Sequence, residues 1–252
     1  MTRLIIDEPL RGSVNMAIDQ ALLQSAAESG VGTLRIYRWK PATVSLGYFQ
    51  KWEDRNEHDA SQPCPVVRRA SGGGAIVHDH ELTYSIAIPS ADRWATQNRD
   101  LFDKVHQTLI KSLEQLGVSG CQIVDQQTVQ AHALKNKGQR PFLCFQRRAV
   151  GDVAISGFKV IGSAQRRLDN ALLQHGSVLI EQSRQAPELP GICELRPSSK
   201  LTIESLSETW PAYLAREMQW DLNIGKLTNE EQRAADVIEA ERFANSSWNQ
   251  KR

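Results

Sequence analysis

Residues 82–88 alternate strictly: Leu82, Tyr84, Ile86 and Ile88 fall on one side, Thr83, Ser85 and Ala87 on the other, and Pro89 follows. A period of two predicts a half-buried antiparallel strand, and a proline, which has no amide to donate, ends it. Such a strand needs partners, and the sequence supplies them. Strand-like runs occur at 34–38 and 42–47, and at 66–70 and 75–78 around a glycine-rich turn. Further runs at 152–156, 159–164 and 176–180 follow, with a turn at Gly157. Helical stretches interrupt them. Residues 14–29 carry Met16, Leu22 and Leu23, with Ser13 as the expected N-cap and Gly30 as the stop. Leu101, Val105, Leu109 and Leu113 recur every fourth residue before Gly117. Hairpin-like strand pairs mixed with helices predict an α+β fold, with mixed, mostly antiparallel sheets packed with helices, rather than a doubly wound parallel sheet.

The chain divides by pattern into a core over residues 1–200 and a small helical C-terminal extension over 201–252. Residues 136–140 and 181–200 read as loop and connector, and Thr228-Asn-Glu-Glu231 has the spacing of a capping box. Its 30 basic residues against 29 acidic ones give a net charge of +1. That balance calls for neither nucleic acid nor an anionic membrane. No run approaches the ~18 apolar residues of a membrane span, and the charged N-terminus lacks a signal-peptide pattern. A cytoplasmic protein is expected, and a monomer. Cys64, Cys121, Cys144 and Cys193 are widely spaced, which fits neither zinc patterns nor a disulfide framework.

Three segments could carry chemistry. In Arg68-Arg69-Ala-Ser-Gly-Gly-Gly74, consecutive glycines permit positive φ and expose amides to a ligand. The adjacent arginines favour an anionic or carbonyl group, although a flexible hairpin would look the same. Cys144 is followed by Arg147, Arg148, Lys159, Arg166 and Arg167 against the single acid Asp152, a setting that favours a thiolate; a buried, inert cysteine is the alternative. His175 lies in Gln174-His-Gly-Ser177, and composition alone does not make it a base. His78-Asp-His-Glu81 looks like a metal cluster, but on a strand its histidines and acids would face opposite sides, so no metal site is expected. Trp39, Trp210, Trp220 and Trp248 read as packing residues.

In order along the chain, Asn15-Met-Ala-Ile-Asp-Gln-Ala-Leu-Leu23, Arg68–Gly74, Glu81-Leu-Thr-Tyr-Ser85, Gly157-Phe-Lys-Val-Ile-Gly-Ser-Ala-Gln165, Leu173-Gln-His-Gly-Ser177 and Ser247-Trp-Asn249 resemble the biotin/lipoate protein ligase and octanoyltransferase superfamily. Coverage is nearly complete, and the ordered set is specific. Cys144-Phe145 upstream of Lys159 is most similar to the cysteine-dependent octanoyltransferases. The resemblance implies that fold, with Cys144 and Lys159 catalytic. It also implies a substrate-binding set of Arg69, Ser71, Gly72, Gly73, Gly74, His78, Gly162, Ser163, Ala164, Gln174, His175 and Gly176. One departure stands out: Arg148-Ala149 occupies the place of the family's Pro-Ser pair.

The reaction so implied moves an octanoyl group from acyl-carrier protein to a lysine of a lipoyl domain or glycine-cleavage H protein, through a cysteine thioester and with no cofactor. Two other enzymatic readings remain at this point. One is an ATP- and Mg-dependent lipoate or biotin ligase; the other is an amidotransferase that draws its acyl group from another lipoyl domain. A non-catalytic binding module of the same fold is a third possibility.

Overall fold

The strand of residues 82–88 lies in the middle of the main sheet. The computed structural model describes every residue except Met1, Asn136, Gly138 and Asp169, so two positions of the expected 136–140 loop fall outside the described residues. The chain opens with strand β1 (Thr2–Ile6), helix α1 (Gly12–Ser29), and strands β2 (Gly32–Tyr37) and β3 (Thr43–Leu46). Next come β4 (Val66–Arg68), β5 (Ile76–His78), β6 (Glu81–Pro89), α2 (Arg93–Thr96), α3 (Asn98–Gln115), β7 (Cys121–Ile123) and α4 (Gln126–Lys135). Strands β8 (Val153–Ile155), β9 (Phe158–Leu168) and β10 (Ala171–Leu179) follow. The remainder holds α5 (Ile192–Leu195), α6 (Ile203–Met218), β11 (Leu222–Ile224), α7 (Asn229–Ile238) and α8 (Ser246–Asn249).

The architecture is α+β. Eight strands form one sheet in the order β11-β1-β2-β6-β10-β9-β8-β7, and β4-β3-β5 form a second. From β2 to β7 every neighbouring pair in the large sheet is antiparallel, while β1 runs parallel to both β2 and β11. Leu82, Tyr84, Ile86 and Ile88 pack on one face with Leu101, Val105 and Leu109 of α3 and with Trp210 and Leu214 of α6.

The other face of β6 is also buried, contrary to the half-buried expectation. Helix α1 covers it and supplies acceptors for its polar residues: Ser85 Oγ donates to Asp19 at 2.7 Å. On the same face Trp39 Nε1 donates to Thr83 Oγ1 at 2.8 Å. Asn15 and Asp19, one helical turn apart, both bind the fully buried Arg35, through Oδ1 atoms at 2.8 and 3.0 Å. Buried polar groups of this kind are tolerated because each has a partner.

Two capping expectations part ways. Gly30 ends α1 in the left-handed region at φ 72°, and Thr228 and Glu231 form their capping box. Ser13 does not cap α1; the N-cap is Arg11, and the Ser13 hydroxyl donates to Glu239 at 2.6 Å. Residues after 201 are not all helical, since β11 joins the edge of the main sheet. The Ser247-Trp-Asn249 segment packs back on the core: Asn249 Oδ1 accepts from the Arg68 amide and Trp248 Nε1 donates to the Arg68 carbonyl, at 2.8 and 2.9 Å. Among the described residues no helix is long and apolar enough to cross a membrane.

Candidate active site

Strand β9 carries Lys159, the segment between α4 and β8 carries Cys144, and the β4–β5 turn carries the glycines. Cys144 heads a short 3₁₀ turn and is pinned by its amide, which donates to the Ala75 carbonyl at 2.7 Å. Around it lies a mostly apolar cleft of about 70 Å³. Met16, Tyr37, Trp39, Ile76 and Phe145 provide apolar walls; Arg69, Gly72, Gly73, His78, Thr83, Gly162, Ser163, Ala164, His175, Gly176 and Ser177 complete the lining.

Lys159 Nζ lies 3.9 Å from Cys144 Sγ and 2.8 Å from Asp152 Oδ2. Both charged side chains of that pair are buried, and a buried cation needs such a partner. The two residues meet because β8 and β9 form a hairpin with a register shift at Val153/Ala154. A Cβ on Gly162 would overlap Lys159 Cε and stand 2.7 Å from Nζ, so glycine is what leaves room for the ammonium group. Asp152 has a second duty: its Oδ2 accepts from the Ala149 amide at 2.7 Å. Arg148 donates to the Phe145, Arg147 and Gly157 carbonyls, so Arg148-Ala149 fastens the cysteine loop from both ends.

The glycine turn is held tightly. Gly73 has φ +106°, and a Cβ there would stand 3.8 Å from Cys144 Sγ. Arg69 is buried and donates to Ser45 O and Oγ, Gly72 O and Gly74 O. Burial brings its guanidinium down to about 10. The amides of Gly72 and Gly73 have no acceptor among the described residues.

The family model for the lipoyl protein ligase A/B catalytic domain matches residues 11–189. The chain belongs to that family. An Octanoyltransferase LipM of Clostridioides difficile (strain 630) is 32% identical over 282 aligned residues, covering 99% of this chain and 98% of the relative. LipM of Brevibacillus brevis is 29% identical, covering 99% of each. With such full-length relatives the chain is an acyltransferase of the lipoyl ligase family. Lipoate-protein ligase A solved with ATP superposes with a TM-score of 0.74 at 20% identity, covering 99% and 98% of the two chains. An archaeal bi-partite lipoate protein ligase from Thermoplasma acidophilum, described with its E2 lipoyl domain, gives 0.71 at 20% over 99% and 96%. At that identity the likeness is one of fold.

Ser71, Gly74 and Gln174 are buried behind the cleft lining. Ser71 Oγ meets His175 Nε2 at 2.6 Å, and His175 Nδ1 lies 3.6 Å from Asp19 Oδ2. Burial raises the Asp19 carboxyl, yet His175 hydrogen bonding, Arg35 and Ser85 bring it below its usual value. Gln174 Nε2 donates to the Tyr84 hydroxyl at 3.2 Å. Gly176 is backbone-tight: a Cβ would stand 2.8 Å from the Gly162 carbonyl oxygen.

The strand reading of residues 78–81 is corrected by the structure. A bend at Asp79 and His80 separates β5 from β6 and turns His78 Nδ1 onto Glu81 Oε1. His78 Nε2 meets Ser45 Oγ at 2.6 Å, and its ring stacks on Trp39 with centroids 3.7 Å apart. Burial lowers the affinity of His78 for a proton despite Glu81.

Sequence reasoning read Trp39 as a packing residue, set Glu81 aside with the rejected metal cluster, and gave no site role to Asp19, His106 or Asp152. His106 is buried below Ser163: Nδ1 meets the Gly151 carbonyl and Nε2 the Ser163 hydroxyl, both at 2.6 Å. Burial pushes this imidazole down to about 4, so Nδ1 donates and Nε2 accepts. The four cysteines are free, and burial pushes Cys64 and Cys193 up and Cys121 to about 11. Cys144 lies beside the Lys159 ammonium group.

Proposed function

We propose that this enzyme transfers an octanoyl group from the thioester of an acyl-carrier protein to a lysine of a lipoyl domain or glycine-cleavage H protein, by way of a thioester on Cys144. The observation that carries this reading is the Lys159 ammonium 3.9 Å from Cys144 Sγ, at the foot of an apolar cleft. The octanoyl group is supported by the full-length octanoyltransferase relatives, and the lipoyl acceptor by membership of the lipoyl protein ligase family.

In the first half-reaction Cys144 gives up its proton, its thiolate attacks the donor carbonyl, the carbon–sulfur bond of the donor breaks, and the phosphopantetheine sulfur leaves and takes up that proton. In the second, the lysine amine attacks the enzyme thioester, loses a proton, and the Cys144 thiolate departs. A nearby cation favours the charged form of sulfur and the oxyanion of each tetrahedral intermediate. Lys159 serves both purposes, with Asp152 holding it in place. The open amides of Gly72 and Gly73 are the second set of donors for that oxyanion. Amide formation from a thioester is downhill, so the route needs neither ATP nor another cofactor.

The test is intact-mass spectrometry after mixing the protein with octanoyl-loaded carrier protein without ATP. We expect an octanoyl adduct that hydroxylamine removes and that Cys144→Ala lacks. An adduct formed only from octanoylated lipoyl domain identifies an amidotransferase. No adduct from either donor, with the protein folded, overturns the cysteine mechanism, and ATP–pyrophosphate exchange driven by free lipoate would then identify a ligase.

A further inference from the structure

The outer side of the glycine turn carries a cluster of cations and aromatic rings that the chemistry above does not use. Tyr48 donates its amide to the Ser71 carbonyl at 2.9 Å, and a Cβ on Gly72 would touch the Phe49 ring at 3.8 Å. Arg166 donates to the Ala70 carbonyl, and Trp248 to that of Arg68, both at 2.9 Å. Gly72 and Gly73 line the cleft on the opposite side of the same turn. Patch and cleft are therefore two faces of one seven-residue segment.

The charges in this patch crowd one another. Lys251 Nζ lies 3.5 Å from the ring centroids of both Tyr48 and Trp248. The Arg242 guanidinium lies 3.6 Å over Trp248, and that of Arg252 5.2 and 5.3 Å from Tyr48 and Phe49. Among the described residues none of Arg166, Arg242, Lys251 and Arg252 forms an ion pair with a carboxylate. Beneath them Arg68 is fully buried with Nη2 unpaired, and Arg242 Nε is unpaired as well. Burial and Arg252 lower Arg68, while burial and Arg166 push Arg242 down to about 10. Asp54 acts on Arg68 from a distance, but its Oδ2 already accepts from the Lys51 amide. Like charges this close repel, and an acidic partner relieves that repulsion. Phe49, 71% exposed, adds an apolar contact in the same place.

We infer that this face is the docking surface for the acyl donor, a carrier protein with an acidic surface that bears its acyl group on a phosphopantetheine thioester. The inference rests on the thioester-donor reading above. The groups delivered to the cleft differ in charge: the donor brings the anionic phosphodiester of its phosphopantetheine arm, which a cationic rim attracts, whereas the acceptor brings a lysine cation, which the rim repels. Electrostatic complementarity of this kind sets encounter rate and partner choice.

The experiment reads binding directly, by fluorescence anisotropy of a labelled, phosphopantetheinylated carrier protein. It uses the wild type, the pair Lys251→Glu/Arg252→Glu, and Phe49→Ser. We expect the charge reversal to weaken binding about tenfold or more at ~50 mM salt, with the difference shrinking at ~500 mM. Phe49→Ser weakens binding several-fold at both salts. Lipoyl-domain affinity changes less than about twofold, within the small effect of remote charge. No binding by the wild type, or unchanged binding by the charge-reversed pair, overturns the inference. So does equal weakening toward the lipoyl domain. Free phosphopantetheine that competes as well as the whole carrier protein assigns the patch to the phosphate alone and overturns protein docking. Absence of an acyl adduct in the mass experiment, with docking intact, counts against the cysteine mechanism and not against the surface.

Discussion

The two walls of the cleft are built differently. The glycine wall is a closed lattice: Arg69 ties Ser45, Gly72 and Gly74 together, Ser45 reaches His78, and His78 is clasped by Glu81 and stacked on Trp39. The cysteine wall is one 3₁₀ turn tied to Ala75 by two backbone hydrogen bonds, through the Cys144 amide and the Phe142 carbonyl, and fastened behind by Arg148 and Asp152. One wall fixes a shape and the other presents a reactive atom. Damage to the first should appear as lost stability, and damage to the second as lost chemistry.

The sharpest contrast comes from Cys144→Ala. Acyl transfer should fall by about 10³-fold or more in single-turnover assays, while the melting temperature stays within about 2 °C, as expected when no buried partner is orphaned. A large drop in melting temperature would erase the distinction between the walls. Arg69→Met keeps an apolar stem but strips the donors from four acceptors, and should cost about 3–5 kcal/mol in urea unfolding. An unfolding midpoint unchanged by that substitution would show that the lattice is not what holds the turn.

Asp152→Asn should lower the acylation rate about 10²-fold, or roughly 2.7 kcal/mol, and slow iodoacetamide alkylation of Cys144, because Lys159 loses its charged partner. Normal alkylation with slow transfer would shift the role of Lys159 to the oxyanion alone. A further effect is one of pH. His106 is neutral when folded, with its proton affinity held at about 4 against 6.5 when free. The unfolded chain therefore takes up a proton first, and stability present above pH ~6.5 is lost as pH falls toward ~4, by up to about 3 kcal/mol. His106→Gln should flatten that slope in melts at pH 7, 6 and 5.

Patterns that depend on neighbours in sequence were readable. Alternation placed β6, four-residue recurrence placed α3, and glycines placed the turns at Gly30 and Gly157, both with positive φ. Helix α4 was missed because none of its residues is buried, so no apolar stripe marks it. The pairing of Cys144 with Lys159 came from the resemblance, and the distance of 3.9 Å is consistent with it. Asp152 was visible only as a lone acid; its meeting with Lys159 depends on a bulged hairpin that composition does not reveal. The arginines of the glycine segment read as ligand binders, whereas their donors are largely used on carbonyls of the protein itself. The Asp19–His175–Ser71 contacts join three distant segments, and sequence carries no sign of them.

The parallel pairing of β1 with β11 sets Thr2 beside Leu222, and Asn249 accepts the amide of Arg68. During synthesis the first strand leaves the ribosome with one edge bare, and the glycine turn emerges without its C-terminal brace. Both wait until more than two hundred further residues have been made in the first case, and nearly as many in the second. Contacts of such separation form late and slowly. A nascent chain of this enzyme is thus expected to stay soft to protease near its N-terminus until Leu222 is out, and to gain the brace on its glycine turn only once Asn249 has followed.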